Sequence, residues 1–207
     1  MGAGARPTVG VLALQGAFSN HLALLARLGV DGRAVRLPGD LVGLDALVLP
    51  GGESTTMSML LDSSGLRSEI QSLLDRGVPV LGTCAGLILL ATSVDGARPD
   101  QRGFDRLDCT AVRNAYGRQN ESFETEVVLD GGVTTHGIFI RAPRITELGR
   151  EVEVLGRVDG DPVLVRQGSV IGCAFHPELG DDPLVHGLLI DQIDRNLTTV
   201  SDGRQED

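Results

Sequence analysis

The chain contains no lysine; all 18 of its basic residues are arginine. This absence removes the Schiff base of a lysine with a carbonyl substrate or pyridoxal phosphate. It also removes the P-loop lysine that holds nucleotide phosphates. Positive charge is scarce altogether. With 28 acidic residues the net charge is -10, which argues against nucleic acid or an anionic membrane as the main partner, since both need concentrated positive charge. Cysteine is limited to Cys84, Cys109 and Cys173, too few and too far apart for a disulfide framework or a CxxC zinc pattern. No apolar run approaches a membrane span, and the opening MGAGARPTVG has no apolar signal core. The expectation is a soluble, cytoplasmic protein with no metal and no organic cofactor.

What is present is enough apolar character for a core: 42% apolar and 22% charged residues over 207 positions fit one globular domain. Residues 1–207 are read as that domain, with a core from about 8 to 198 and a polar tail from 199 to 207. Thr8 to Leu14 reads as a buried strand, Phe18 to Leu28 as a helix closed by Gly29, Ala34 to Leu37 and Ala46 to Leu49 as strands. Ser54 to Leu61 and Leu66 to Arg76 read as helices and Val78 to Leu81 as a strand. Alternating strands and helices with short links imply right-handed crossovers and a parallel sheet covered on both faces. In the second half, Thr110 to Val112, Glu124 to Leu129, Gly137 to Ile140, Val152 to Val158, Val163 to Arg166 and Val170 to Phe175 read as shorter strands adding antiparallel pairs. A last helix starts at Pro183 and buries Leu184, Leu188, Leu189 and Ile193.

The sharpest local signal is Gly82-Thr83-Cys84-Ala85-Gly86, after a strand and before the apolar helical run LILLA. Its G-x-nucleophile-x-G form is that of a nucleophile elbow, in which small neighbours allow a tight strand-to-helix turn. The start of a helix also favours thiolate over thiol, and the Ala85 N–H is placed to serve an oxyanion. The competing reading is a buried structural cysteine in a glycine-bounded turn. Of the four histidines, His21 reads as a packing or capping residue, His136 lies in a turn-rich stretch and His186 in the last helix. His176 follows a strand, where open α/β sheets place their sites. Glu178 stands two residues on, so in extended chain it shares a side with the imidazole and completes a Cys–His–Glu set. The competing reading is a solvated His-Pro-Glu turn. Pro50-Gly51-Gly52-Glu53-Ser54 ends the third strand, and its glycines let a backbone N–H approach a ligand, with Gly52 the second oxyanion donor. Its competing reading is a Pro-Gly turn with Ser54 as helix cap.

Taken in order, LALQG, LPGGESTTM, GTCAGLILLA, RNAYGRQNESFE, FIRAPRI and GCAFHPEL resemble the class I glutamine amidotransferases, and within them the glutaminase subunits of pyridoxal phosphate synthase. The motifs run from about residue 9 to 180. GTCAG and HPE are shared by many amidotransferases, whereas GGESTTM, YGRQ with SFE, and FIRAP discriminate. The resemblance implies a three-layer, mostly parallel, flavodoxin-like sheet with added antiparallel strands. It implies Cys84 as nucleophile, His176 as acid/base and Glu178 as its orienting carboxylate. It implies that Gly52, Glu53, Ser54, Arg113, Ile140 and Arg141 bind L-glutamine, and Arg113 or Arg141 suits a ligand α-carboxylate. It further implies hydrolysis of glutamine to glutamate, with ammonia passed to a synthase (lyase) subunit, and a glutaminase poorly active until docking aligns the Gly51-Gly52 backbone. The chain departs from the pattern at Asn20, where an acidic residue is expected, and in its polar tail.

Three other readings remain at this stage. The nearest is a glutaminase serving another synthase, such as imidazole glycerol phosphate synthase. A cysteine-dependent esterase-type hydrolase is disfavoured because its acid should precede the histidine, whereas Glu178 follows His176. A non-catalytic regulatory protein is disfavoured by competent side chains at all three positions.

Overall fold

The computed structural model describes residues 6–113, 122–180 and 182–202, with only the backbone for 196–202. In the first half β1 (Thr8–Leu12), α1 (Phe18–Arg27), β2 (Asp31–Val35), β3 (Ala46–Leu49), α2 (Ser54–Ser63), α3 (Leu66–Asp75), β4 (Val80–Thr83) and α4 (Ala85–Leu90) follow one another. The second half runs β5 (Ala91–Asp95), β6 (Leu107–Val112), β7 (Phe123–Leu129), β8 (Thr134–Phe139), β9 (Arg144–Thr146), β10 (Glu153–Val158), β11 (Asp161–Gln167), β12 (Val170–Cys173) and α5 (Leu184–Asp202). Among the described residues no helix is long and apolar enough to cross a membrane.

Nine strands form one sheet in the order β2-β1-β3-β4-β12-β11-β10-β7-β8. The first five are parallel and carry the helices; from β12 onward each pairing is antiparallel. Every residue of β3, β4 and β12 is buried, as expected of parallel strands covered on both faces. One continuous apolar core runs through the molecule, from Val9 and Leu47 through Leu81 and Leu87 to Phe139 and Phe175. Burying side chains of this size stabilises by about 1.5–3 kcal/mol each before entropy is charged against it.

The mixed α/β architecture is as expected, and the differences lie at its edges. The strand placed at Ala34–Leu37 is instead Asp31–Val35, set by pairing with Thr8–Leu12. Asp31, Gly32 and Arg33 are exposed on this edge strand, so hydrophobic pattern could not find it, and Pro38 opens a 3-10 turn just beyond. The LILLA run stops being helical at Leu90. Ala91 begins β5, which joins β6 and β9 in a separate three-stranded sheet, so the strand ending at Val112 lies outside the large sheet. The last helix buries Val185, His186, Leu189, Gln192 and Ile193, while Leu184 and Leu188 are only partly covered. That face includes two polar side chains, which an apolar-stripe reading passes over.

The layer over the sheet approaches it closely at Gly86. A Cβ there would stand 1.9 Å from the Leu49 carbonyl oxygen, so only glycine lets α4 lie this close to β3. Gly86→Ala is expected to cost about 1–3 kcal/mol, measured as a fall in the urea midpoint at unchanged slope.

Candidate active site

Three neighbouring parallel strands end at one edge of the sheet. β3 delivers Gly51 and Gly52, β4 delivers Cys84, and β12 leads to His176. Register fixes the arrangement: Gly172 pairs with Gly82 and Cys173 with Thr83, and the Cys84 N–H donates to the Cys173 carbonyl at 2.8 Å. The antiparallel half of the sheet bends back to the same edge. The His176 N–H donates to the Ile138 carbonyl at 2.9 Å, which brings Ile140 and Arg141, just after β8, beside it.

Cys84 has φ 48° and ψ -101° immediately before α4. A non-glycine residue in that conformation carries strain, of order 1–3 kcal/mol, that the surrounding packing must hold. The bounding glycines explain how it is held. A Cβ on Gly82 would lie 2.6 Å from the Gly86 backbone, so the turn closes only without side chains there. The elbow leaves Cys84 6% exposed, with Sγ 4.0 Å from the Ile140 carbonyl oxygen. Ala85, first residue of α4, has an N–H with no partner inside the helix.

His176 and Glu178 meet by a different local geometry from the one expected. Pro177–Leu179 is a 3-10 turn rather than extended chain, and it curls the carboxylate under the imidazole, with Nδ1 2.8 Å from Oε1. Burial pushes the His176 pKa down, but hydrogen bonds with Cys84 and Glu178 outweigh it and raise it to about 10. Burial likewise pushes Glu178 up, and the bond from His176 brings it below the ordinary carboxylate value. Gly51 is wedged between the partners: a Cβ there would be 2.4 Å from His176 Cε1 and 3.5 Å from Cys84 Cβ.

Gly51, Cys84 and His176 line a cleft of about 370 Å³ together with Gly52, Glu53, Ser54, Arg113, Ile140 and Arg141, a volume within the range of small-molecule sites. The structure therefore brings Cys84, His176 and the glutamine-binding candidates to one cavity; Ala85 and Glu178 are buried outside its lining, Glu178 bonded to the His176 ring. Their local roles differ from the expected ones in two places. Glu53, not Ser54, caps α2: its carboxylate accepts from the Thr55 and Thr56 N–H groups at 3.1 and 2.7 Å. Burial raises the Glu53 pKa, but the hydrogen bonds from Thr56 and Thr55 prevail and hold it at about 2. Arg113 is engaged within the protein, with Nη2 3.0 Å from Glu53 Oε1 and Nη1 3.1 Å from Gln101 Oε1 and 3.2 Å from Thr55 Oγ1. Arg141 is exposed at the rim with φ 47°. Gly52 sits at φ 154° against the Gln15 side chain, whose Nε2 donates to the Glu53 carbonyl at 2.7 Å. Sequence reasoning missed Gln15, Thr55 and Gln101; single neutral polar residues give no spacing signal. The YGRQ part of the discriminating motif lies outside the described residues. His136 is remote in role, paired at 2.9 Å with Glu124.

Comparisons with known proteins show what the chain is similar to. The SNO glutamine amidotransferase family matches residues 11–195. A protein of Corynebacterium jeikeium named pyridoxal 5'-phosphate synthase subunit PdxT is 49% identical over 86% of this chain and 92% of its own length. One of Salinispora tropica with the same name is 48% identical over 90% and 96%. A crystal structure described as a glutamine amidotransferase superposes with a TM-score of 0.85 at 45% identity, covering 90% of this chain and 98% of its own.

The Glu53 cap carries a signed pH dependence. Its folded pKa of about 2 lies below the ordinary 4.5, so its contribution is present above about pH 4.5 and is lost as pH falls toward 2. Glu53→Ala is expected to cost about 1 kcal/mol near neutrality, the shift in pKa overstating the effect because the side chain is 44% exposed and screened. The gap between the urea midpoints of variant and native chain should narrow as pH is lowered from about 6 to about 3; a gap independent of pH would show that the carboxylate's charge is not what holds the cap.

Proposed function

The chain belongs to the SNO glutamine amidotransferase family, and from that premise we propose that it is the glutaminase subunit of a pyridoxal 5'-phosphate synthase. It hydrolyses L-glutamine to L-glutamate in the cytoplasm, and its ammonia passes to the synthase subunit. The observation that carries this reading is that Cys84 and His176 share one cleft, with the buried Glu178 carboxylate bonded to the imidazole at 2.8 Å.

In this mechanism the Cys84 sulfur attacks the side-chain amide carbon of glutamine. A carbon–sulfur bond forms and the carbonyl oxygen becomes an oxyanion. The N–H groups of Ala85 and Gly52 stabilise it, each donor contributing about 3–4 kcal/mol in sites of this kind. His176, carrying the proton of the pair, delivers it to the departing nitrogen; ammonia leaves and a γ-glutamyl thioester remains. His176 then takes a proton from water, the hydroxide adds to the thioester carbon, and the carbon–sulfur bond breaks to release glutamate. Glu178 holds the imidazole in one tautomer throughout. The raised His176 pKa keeps the ring protonated for the first step, since the amide nitrogen is a poor leaving group until it is protonated to ammonia.

The cleft also suits the amino-acid end of the substrate. With Arg113 held by Glu53, Thr55 and Gln101, Arg141 at the rim is the cation that can turn to the α-carboxylate, and Arg113 supports the wall behind it. Water entering the cleft would intercept ammonia as ammonium, which is why a docked synthase is part of the proposal.

Cys84→Ala is expected to lower glutaminase activity by about 10³-fold or more, measured as glutamate release with the synthase subunit present. The native chain's activity should rise on adding that subunit. A Cys84→Ala protein with native activity would end the reading, and a chain fully active alone would remove the coupling to a synthase.

A further inference from the structure

Beneath the proposed triad lie polar side chains that the mechanism does not use. His21 of α1, Thr83 at the end of β4 and His186 of α5 are each fully buried. His21 Nδ1 is 2.8 Å from His186 Nε2. On its other side, His21 Nε2 lies 3.4 Å from Glu178 Oε2 and 3.5 Å from Thr83 Oγ1. Glu178 Oε1 is occupied by His176, whereas Oε2 has no aligned hydrogen bond, and neither has His186 Nδ1. The row His186, His21, Glu178, His176, Cys84 thus runs from the last helix to the cleft, with the His21–Glu178 step a 3.4 Å contact.

Charge and tautomer follow from burial. Burial lowers the His21 pKa to about 4, opposed by Glu178 and aided by His176. Burial and then His21 lower His186 to about 3, against the pull of Glu178. Both rings are therefore neutral near pH 7, and His21 acts on Glu178 as an N–H dipole rather than as a cation. A neutral imidazole has one N–H and one lone pair, so two arrangements compete. In one, His186 Nε2–H donates to His21 Nδ1, and His21 Nε2–H faces Glu178 Oε2. In the other, a lone pair faces the carboxylate and an N–H is orphaned at His186 Nδ1. The first turns a donor toward the carboxylate and leaves an acceptor, not an N–H, without a partner at His186 Nδ1, the cheaper defect in a buried site.

We infer that His21 is a positioning residue for the reaction: its Nε2–H holds the second oxygen of Glu178 so that the first stays aimed at His176, and His186 fixes His21 in the tautomer able to do so. The inference rests on the triad reading above. A Glu carboxylate held by one oxygen can turn about its broad terminal torsion; held at both it cannot. The 3.4 Å contact is long for a hydrogen bond, as such bonds often are before substrate is bound, and it tightens in the reacting complex. The titratable groups around the His176–Glu178 pair are His21 and His186 from the two helices, Cys84 from the elbow and Cys173 from β12. Glu53, Arg113 and Arg141 face His176 across the cleft.

The test is the pH profile of kcat/KM, read as glutamate release by the full chain with the synthase subunit. Glu178 is one of the groups that raises His176, so loosening it lets the His176 pKa fall. His21→Leu should lower kcat about 10- to 100-fold, the range for losing an orienting partner, with KM little changed. It should also move the basic limb down by about one pH unit. His21→Gln, whose amide reaches about where Nε2 does, should restore the limb. Histidine ¹⁵N spectra of the unsubstituted chain decide the matter even if the leucine variant fails to fold: a neutral His21 protonated at Nε2 supports the inference. A His21 protonated at Nδ1, or a folded His21→Leu with the native basic limb, overturns it. Loss of activity in Cys84→Ala beside an unshifted His21→Leu would sink this inference alone, whereas a fully active Cys84→Ala would sink the triad on which it rests.

Discussion

The parallel pairing of β4 with β12 is the constraint on which the site depends. It matches Gly82 with Gly172 and Thr83 with Cys173, so the residues that leave the two strands emerge side by side although most of the second half of the chain lies between them. β3 on the other flank of β4 adds the glycine pair. A slip by one residue would turn the pleat over and send the wrong side chains to the edge. The core around these strands is therefore what sets the distance between the sulfur, the imidazole and the backbone donors, more than any contact inside the cleft.

Much of this was legible in the sequence, for identifiable reasons. Ala46–Leu49 was read with its observed bounds because a wholly apolar run ending in Pro-Gly-Gly has few other interpretations. The elbow was legible because Gly82 and Gly86 are both demanded by backbone contacts, and such demands leave a fixed spacing. The small sheet of β5, β6 and β9 was not legible, since β5 continues an apolar helix without a break and β9 is three residues long. Site geometry was harder. Cys84 and His176 share one cavity, yet the Glu178 carboxylate lies outside its lining and reaches the imidazole through a 3-10 turn that His-Pro-Glu does not announce. The Glu53–Arg113 pair joins residues 60 positions apart, which no local pattern could connect. His21 was read as a packing or capping residue; burial is correct, but its neighbour in space is Glu178, a relation invisible before folding.

Electrostatics divides the cleft into two parts. On one side Glu53 and Arg113 neutralise each other and brace the start of α2, with Thr55 and Gln101 completing the bonds. On the other, the His176–Glu178 pair is shielded from water and gains strength from that shielding. A polar substrate thus meets a fixed wall and a titrating one. The proposed division of labour follows: recognition falls to the rim and the braced wall, and proton movement to the buried pair.

Gly51 limits how the cleft can be altered. Because even a methyl group at that position would collide with the His176 ring, the site has a letter in its alphabet that no redesign can change without moving the imidazole. Anyone reshaping the cleft for a larger acyl donor must work outward from the Arg141 side, where the chain is exposed, and treat the glycine wall as a hinge pin around which new specificity has to be built.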